Sequence, residues 1–415
     1  MDGAWDAKLC ALYGEDRLSK QRQRYAGLVG TFAAQFGGET APMLFSAPGR
    51  TELAGNHTDH QNGRVLAGAV TLDAVAAASF SAAPVITLCS QGYAPVRIPI
   101  CDLSVHPEEK NTTAALLRGI AAAFQKRGAK LRGADICLTS DVLAGSGLSS
   151  SACFEVLTGC VFNELFFEGA CSPQEIARIG QYAENVYFGK PSGLMDQMAC
   201  AVGGCVAIDF ENPAAPQVEP MAFSPERHGY ALVIVDSGAD HADLTEEYAA
   251  IPQEMALAAS VFGQTVLRGI GADSLFAQAD EVRRTAGDRG FLRALHFVKE
   301  NERVLDMAKA LKQDDMAGFL RQAAASGHSS WELLQNIYSS RFPQHQAVAV
   351  ALASAACALN GEGTVRVHGG GFAGTIQAYV PAAKLSAFVS FMEHTLFPGC
   401  CHILGIRQAG CLRVL

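Results

Sequence analysis

Four segments of this chain gather glycine with hydroxyl, carboxylate, imidazole or guanidinium side chains. The first, APGRTELAGNHTDHQNG over Ala47–Gly63, supplies a cation at Arg50 and a dense polar run at Asn56, His57, Asp59 and His60. The second, LAGSGLSSSA over Leu143–Ala152, reads as a strand end, a Gly/Ser turn and a helix opening near Ser149. Such a turn is an anion site by construction: the first backbone N–H groups of the helix point outward, and the macrodipole adds about half a positive charge. Gly145 and Gly147 let the backbone approach a phosphate closely, and the serine hydroxyls can donate to phosphate or ligate Mg2+. The lysine of a Walker loop is missing, so an anion here would be held by backbone and hydroxyls; the plainer alternative is an ordinary capped helix start.

The third segment, AENVYFGKPSGLMDQ over Ala183–Gln197, carries Glu184 on a helix and Asp196 just past that helix's end. An aspartate in such a place is ordinarily a turn or cap. The fourth, VHGGGFAGT over Val367–Thr375, matches GxGxxG at Gly369, Gly371 and Gly374. The residues that follow, TIQAYV, alternate like a strand, whereas a dinucleotide fingerprint requires a helix there. A strand–turn–strand hairpin fits better. In the first segment the crowded donors and acceptors suit the vicinal hydroxyls of a polyol. Two plainer alternatives are a polar turn at Asn62-Gly63 and a metal pair at His57 and His60, for which no third ligand is suitably spaced.

The elements that must position these groups follow from periodicity and punctuation. Leu9, Leu12 and Tyr13, then Tyr25, Leu28 and Phe32, predict a helical start over residues 1–40. Residues 44–47 read as a short strand into the first loop, 65–80 as strand-like runs, 98–105 as a weak edge and 114–124 as a helix. Strand 134–139 precedes the Gly/Ser turn and helix 150–167 follows it. A helix over 172–188 has Ser172 as N-cap, Pro173 at its first position and Glu175 closing a capping box, with Gly189 and Pro191 ending it. Strands are expected at 202–210, 230–236, 365–367 and 375–380, and long helices at 244–266 and 291–319. The Pro- and acid-rich stretch 211–227 places a domain boundary, giving domains 1–220 and 221–415.

At 415 residues the chain exceeds what one core usually supports, and 49% hydrophobic with 18% charged residues is a globular composition. A net charge of −9 argues against a nucleic-acid partner, which needs a basic face. It leaves room for an anionic nucleotide held by a nest of N–H groups. The 13 cysteines form no framework and read as reduced thiols of a cytoplasmic protein. The N-terminus has early acids and no apolar signal region, and the most apolar stretch, residues 75–88, is too short for a bilayer.

In order and wording, PGR-x-E-L-x-G-x-HTD, G-x-GLSSSA, GLMDQ and GGGFAG resemble the GHMP kinase superfamily and, within it, the galactokinase family, from about Pro48 to Gly374. The resemblance implies a mixed α/β (α+β) fold of two domains, an N-terminal ribosomal-protein-S5-like domain and a C-terminal ferredoxin-like one. It implies a monomer that uses ATP and Mg2+ to phosphorylate galactose at its anomeric hydroxyl. It implies Asp196 and Arg50 as a catalytic pair, and sugar contacts at Asn56, His57, Asp59, Gly193 and Tyr248. Nucleotide contacts are implied at Gly145, Ser146, Gly147, Leu148, Ser149, Ser150 and Ser151, and metal ligands at Ser151 and Glu184. Other outcomes are a kinase for a related sugar such as galacturonate, or a non-catalytic sugar sensor. The family usually has glutamate where Asn56 stands and tyrosine where His60 stands, which implies weaker exclusion of a uronate here. Thr113 and Leu116 stand where aromatics usually flank the adenine, so apolar contacts are expected to hold the base.

Overall fold

The structure is a computed structural model that describes residues 3–37, 41–142, 147–190, 192–239 and 244–415. Two sheets organise it. The first contains β1 (Met43–Ala54), β2 (Arg64–Ser81), β3 (Val85–Ser90), β4 (Val96–Pro99), β5 (Gly133–Ser140), β6 (Cys205–Asp209) and β7 (Gln217–Met221). The second contains β8 (Tyr230–Asp236), β9 (Thr364–Val367), β10 (Thr375–Pro381) and β11 (Cys401–Leu404), in the order β11-β8-β10-β9. The chain then returns to the first sheet, where β12 (Leu412–Arg413) pairs with β1 and completes the path β12-β1-β2-β5-β3-β4. The 18-residue β2 splits one edge between two partners: Ala74–Ser81 pairs β5, and Arg64–Gly68 pairs β6.

The alternation of β8 explains how the two sheets stack. Leu232 and Ile234 join the core that also holds the first sheet and the helices Thr113–Lys126 and Ser150–Phe167. Ala231, Val233 and Val235 face the helices Ala347–Leu359 and Leu385–Thr395 on the other side. Period-two alternation on a strand buried on both faces gives each layer its own apolar set. The largest core therefore runs without a break from β1 to Tyr379 of β10, through Met307 and Phe319. Residues 211–227 are not a bare linker, since they include β7 and a short 3-10 turn at Pro225–His228.

Several elements match their sequence-based expectation closely. The helix Ser150–Phe167 and the strand Tyr230–Asp236 have the expected bounds. Both halves of the Ser172/Glu175 capping box form, and Pro173 opens the helix. Other elements differ for physical reasons. The helix that starts at Pro173 is regular to Tyr182, then widens into a π turn over Ala183–Phe188 before Gly189 caps it at φ 86°. The helix expected over 291–319 is two: Ala279–Lys312, kinked at Gly287, and Met316–Ser329, whose N-cap Asp315 accepts from Gly318 N–H at 2.8 Å. The helix expected over 244–266 is Thr245–Ser260.

The largest difference concerns the first motif. It is not a short strand feeding a long loop. β1 continues to Ala54, with register shifts at Pro48/Arg50 and Glu52/Ala54. Such bulges bend a strand and re-aim its side chains, so Arg50 is set by a sheet and only residues 55–63 are loop. The helix Ala279–Lys312 clamps that loop at both ends. Glu300 Oε1 accepts from Gly55 N–H at 3.1 Å, His296 Nε2 lies 2.9 Å from Asn56 O, and Asn301 Oδ1 accepts from Arg64 N–H at 2.8 Å.

Candidate active site

Arg50, Asp196 and Ser149 form the centre of the site. Arg50 donates to both carboxylate oxygens of Asp196, from Nε at 2.7 Å and from Nη2 at 2.8 Å. Its Nη1 donates to the Gly147 carbonyl, and its backbone N–H donates to Leu148 O at 3.1 Å. The paired fork and the backbone contact lock strand β1 against the Gly/Ser turn. Asp196 does not merely follow a helix; it is the second residue of the helix Met195–Val202, where an anion is favoured by the dipole. Burial alone would raise its pKa, but the charge and hydrogen bonds of Arg50, with Ser149, hold it below the usual carboxylate range.

Ser149 is the N-cap of the helix Ser150–Phe167, with left-handed backbone angles (φ 57°, ψ 58°) that are rare for a non-glycine residue. Its hydroxyl makes no capping bond and donates instead to Asp196. The first helical bond runs from Cys153 N–H to Ser149 O, so the N–H groups of Ser150, Ser151 and Ala152 precede the ladder. Local strain and free donors at one helix start are features of a binding site. Leu148 is fully buried and anchors the turn. Gly145 and Ser146 lie outside the described residues.

The third glycine segment is a β9–β10 hairpin that packs on this turn. A Cβ at Gly147 (φ 69°) would come within 2.9 Å of His368 Nδ1 and Thr375 Oγ1. Only glycine permits that approach. His368 lies between Thr51 Oγ1 (3.0 Å) and Thr375 Oγ1 (2.9 Å). Burial, then Arg50 and Arg366, keep it neutral by holding its pKa well below the ordinary value. Deeper in the joint, Arg366 Nη2 donates to Glu52 Oε1 at 2.6 Å, and Gln377 Nε2 donates to Thr51 Oγ1 at 2.8 Å. The second sheet thus grips β1 at the residues that follow Arg50.

Three residues singled out from the sequence converge on successive carbonyls of the glycine loop. Asn56 Nδ2 donates to Gly369 O at 2.6 Å, His57 Nε2 lies 3.0 Å from Gly370 O, and Tyr248 donates to Gly371 O at 2.7 Å. Burial, with His60 adding to it, pushes His57 down to about 4 despite its contact with Gly370, so it is neutral at ordinary pH. Asn56 is fully buried: its amide also donates to Glu52, and its Oδ1 accepts from Asn336. It therefore braces the loop and does not line an open pocket. Tyr248 stands on the helix Thr245–Ser260, edge-on to Phe372 at 5.3 Å.

Asp59 and Gly193 meet on the open side. A Cβ on Gly193 would overlap Asp59 Oδ2, so the glycine leaves room for that carboxylate three residues before Asp196. The His57 and His60 rings lie 6.3 Å apart, tilted by 30°. No group of three His, Cys, Asp or Glu residues among the described residues could hold a metal ion.

Glu184 stands on the π turn and is buried. It accepts from Lys190 Nζ at 3.1 Å, from the Ser192 hydroxyl and from Gln197 Nε2 at 3.0 Å. Gln197 also donates to Glu155 Oε2 at 2.9 Å, while Glu155 Oε1 has no hydrogen-bond partner. Burial and the neighbouring Glu184 push Glu155 well above the usual carboxylate range. Ser151 lies in the first turn of the facing helix. Leu116 is buried and Thr113 opens its helix behind the N-cap Thr112. Sequence reading missed Glu52, Glu155, Lys190, Arg366, His368 and Gln377. The acid in PGRTE and the histidine before GGG were visible signals, but their partners are distant in the chain.

A helix start open to phosphate, an Arg–Asp pair beside it and a glycine hairpin closing it from a second sheet define a GHMP-type kinase. The family model for the GHMP kinase N-terminal domain matches residues 115–204, and the galactokinase galactose-binding signature matches residues 30–80. A galactokinase of Streptomyces coelicolor is 32% identical over 376 residues, covering 89% of this chain and 92% of that protein. A galactokinase of Actinobacillus pleuropneumoniae is 32% identical over 362 residues, covering 85% and 89%. The crystal structure of Lactococcus lactis galactokinase complexed with galactose superposes with TM-score 0.81 at 22% identity, over 94% of this chain and 99% of that one. A mevalonate kinase structure gives TM-score 0.62 at 16% identity, over 88% and 99%. The chain belongs to the galactokinase family.

Proposed function

We propose that this chain transfers the γ-phosphoryl group of ATP to the anomeric hydroxyl of galactose, giving galactose 1-phosphate and ADP. The observation that carries the reading is the Arg50–Asp196–Ser149 constellation, set between a helix N-terminus and the Asp59/Gly193 pair. The N–H groups of Ser150 and Ser151 and the backbone at Gly147, with Gly145 and Ser146, cradle the phosphates. Leu148 fixes the turn from beneath. Asp196 orients the anomeric hydroxyl and receives its proton as the phosphorus–oxygen bond forms. Arg50 fixes Asp196 through a paired fork and keeps it ionised. Asp59 accepts from sugar hydroxyls beside Gly193, while Asn56, His57 and Tyr248 hold the glycine loop in register around the sugar. The chemistry is mainly positioning and charge stabilisation, as phosphoryl transfer demands.

The donors at Glu184 and Ser151 are hard oxygens, which fit Mg2+ completed by nucleotide phosphates and water, and Glu155, with one unpartnered oxygen, shares Gln197 with Glu184. When bound, Mg2+ neutralises phosphate charge.

The test is turnover with ATP and a panel of galactose, galacturonate and other hexoses. Galactose-dependent ADP release is expected. Release only with galacturonate, or none with any sugar although ATP and sugar bind, would replace the reading by another sugar kinase or a sensor. Gly193→Ala refines it. The added methyl meets Asp59, so KM for galactose should rise about tenfold, the scale of a modest overpacking cost, with KM for ATP within twofold. An unchanged galactose KM removes the Asp59/Gly193 pair from the sugar site.

A further inference from the structure

The candidate site is rich in buried carboxylates, and one residue of the third segment that has no role so far brings a cation to them. Glu184 and Glu155 are buried side by side, and Asp196 lies on the next helix. Arg50 is committed to Asp196 through Nε and Nη2 and to the Gly147 carbonyl through Nη1. Ser192 and Gln197 bring neutral donors to Glu184. Lys190 brings a full charge, with Nζ 3.1 Å from Glu184 Oε1. An ion pair with a wholly exposed carboxylate would mean little. This one joins a side chain that is 58% exposed to a carboxylate that is 3% exposed. The backbone of Lys190 is pinned as well, since its N–H and that of Gly189 both donate to Glu184 O, at 3.2 and 2.9 Å. The turn thus fixes where the four-carbon stem starts, and more than half of that side chain is exposed.

We propose that Lys190 is a phosphate-contacting residue: it holds Glu184 when the site is empty and turns its ammonium to the terminal phosphate of the bound nucleotide. The proposal rests on the kinase reading above. An ammonium has three N–H donors, and Glu184 takes one. A triphosphate entering beside these carboxylates needs a cation, and the half-exposed Lys190 ammonium supplies it with the donors that Glu184 leaves unused.

The experiment measures binding of ATP in EDTA, and separately of galactose, by calorimetry on wild type, Lys190→Met and Lys190→Arg. A charge-assisted contact of this kind corresponds to about a tenfold loss of affinity or more. Lys190→Met should therefore bind metal-free ATP about tenfold more weakly, with galactose affinity within twofold, and should lose some thermal stability because the buried Glu184 keeps no cation. Lys190→Arg should recover most of the loss. ATP affinity within twofold in Lys190→Met overturns the proposal. So does a loss of ATP affinity that disappears when the same change is made in a Glu184→Gln background, because that would mean Lys190 only neutralises Glu184. Wild-type turnover with galactose decides the kinase reading independently of these titrations.

Discussion

Asp196→Asn is expected to lower kcat for galactose by about 10²–10⁴-fold, the usual range for a positioned acid–base group, while KM for galactose and the affinity for ATP stay within a few-fold. The substitution keeps size and one acceptor but removes the charge that Arg50 and Ser149 surround. Asparagine offers one oxygen to a fork built for two, and it cannot take a proton. The low pKa of Asp196 also makes it a weak base, so most of its effect is orientation and late proton acceptance. The sign of the pH dependence follows. A depressed pKa keeps Asp196 ionised from neutral pH down through the ordinary carboxylate range near about 3.9. The Arg50–Asp196 contribution to stability is therefore fully present above that range and is lost only as pH falls through the lower folded-state value. An acid limb in kcat/KM near the ordinary carboxylate value would assign the titration to another group. Turnover of Asp196→Asn within a few-fold of wild type would remove Asp196 from the chemistry.

What was legible in the sequence is what local periodicity and punctuation encode. The alternation of Tyr230–Asp236, the Ser172/Glu175 box and the apolar helix after Ser149 each depend on neighbours a few residues away. Arg50 was expected on a loop because Pro48 and Gly49 look like breakers. In the sheet they sit at a bulge, opposite β2; the strand-like run over 65–80 was legible, but nothing local records that it pairs with the residues around Pro48 and Arg50. Asp196 looked like a residue after a helix because Gly189 and Pro191 end one. The short helix it opens is held by tertiary contacts, with Met198 and Ala199 wholly buried. Least legible were pairings across the two sheets. Arg366 reaches Glu52 across 314 residues of sequence and His368 reaches Thr51 across 317, and no spacing rule connects such positions.

Asn56→Glu is expected to destabilise the protein by about 3–5 kcal/mol, the cost of an uncompensated buried charge, and not to act as a simple sugar-preference switch. The resemblance implies that position 56 bears on the sugar, where a glutamate would turn away a uronate. The structure places Asn56 inside the joint between the sheets. Its amide lies 3.2 Å from both oxygens of Glu52, and Arg366 is the guanidinium that partners Glu52. Burial raises the Glu52 carboxyl above its ordinary range despite Arg366, so this charge is already barely compensated. A second carboxylate would face the first and would leave Gly369 O without its donor. In this joint the carboxylate comes from position 52 and the amide from position 56. Exchanging the two, Glu52→Asn with Asn56→Glu, restores one carboxylate, one amide and one guanidinium to the joint. Contacting residues commonly couple by about 0.5–3 kcal/mol, so the double variant should recover a large part of the single variant's loss in urea unfolding. Its ratio of kcat/KM for galactose over galacturonate should equal that of wild type. A single Asn56→Glu variant with wild-type stability and a ratio shifted towards galactose would return position 56 to the sugar pocket.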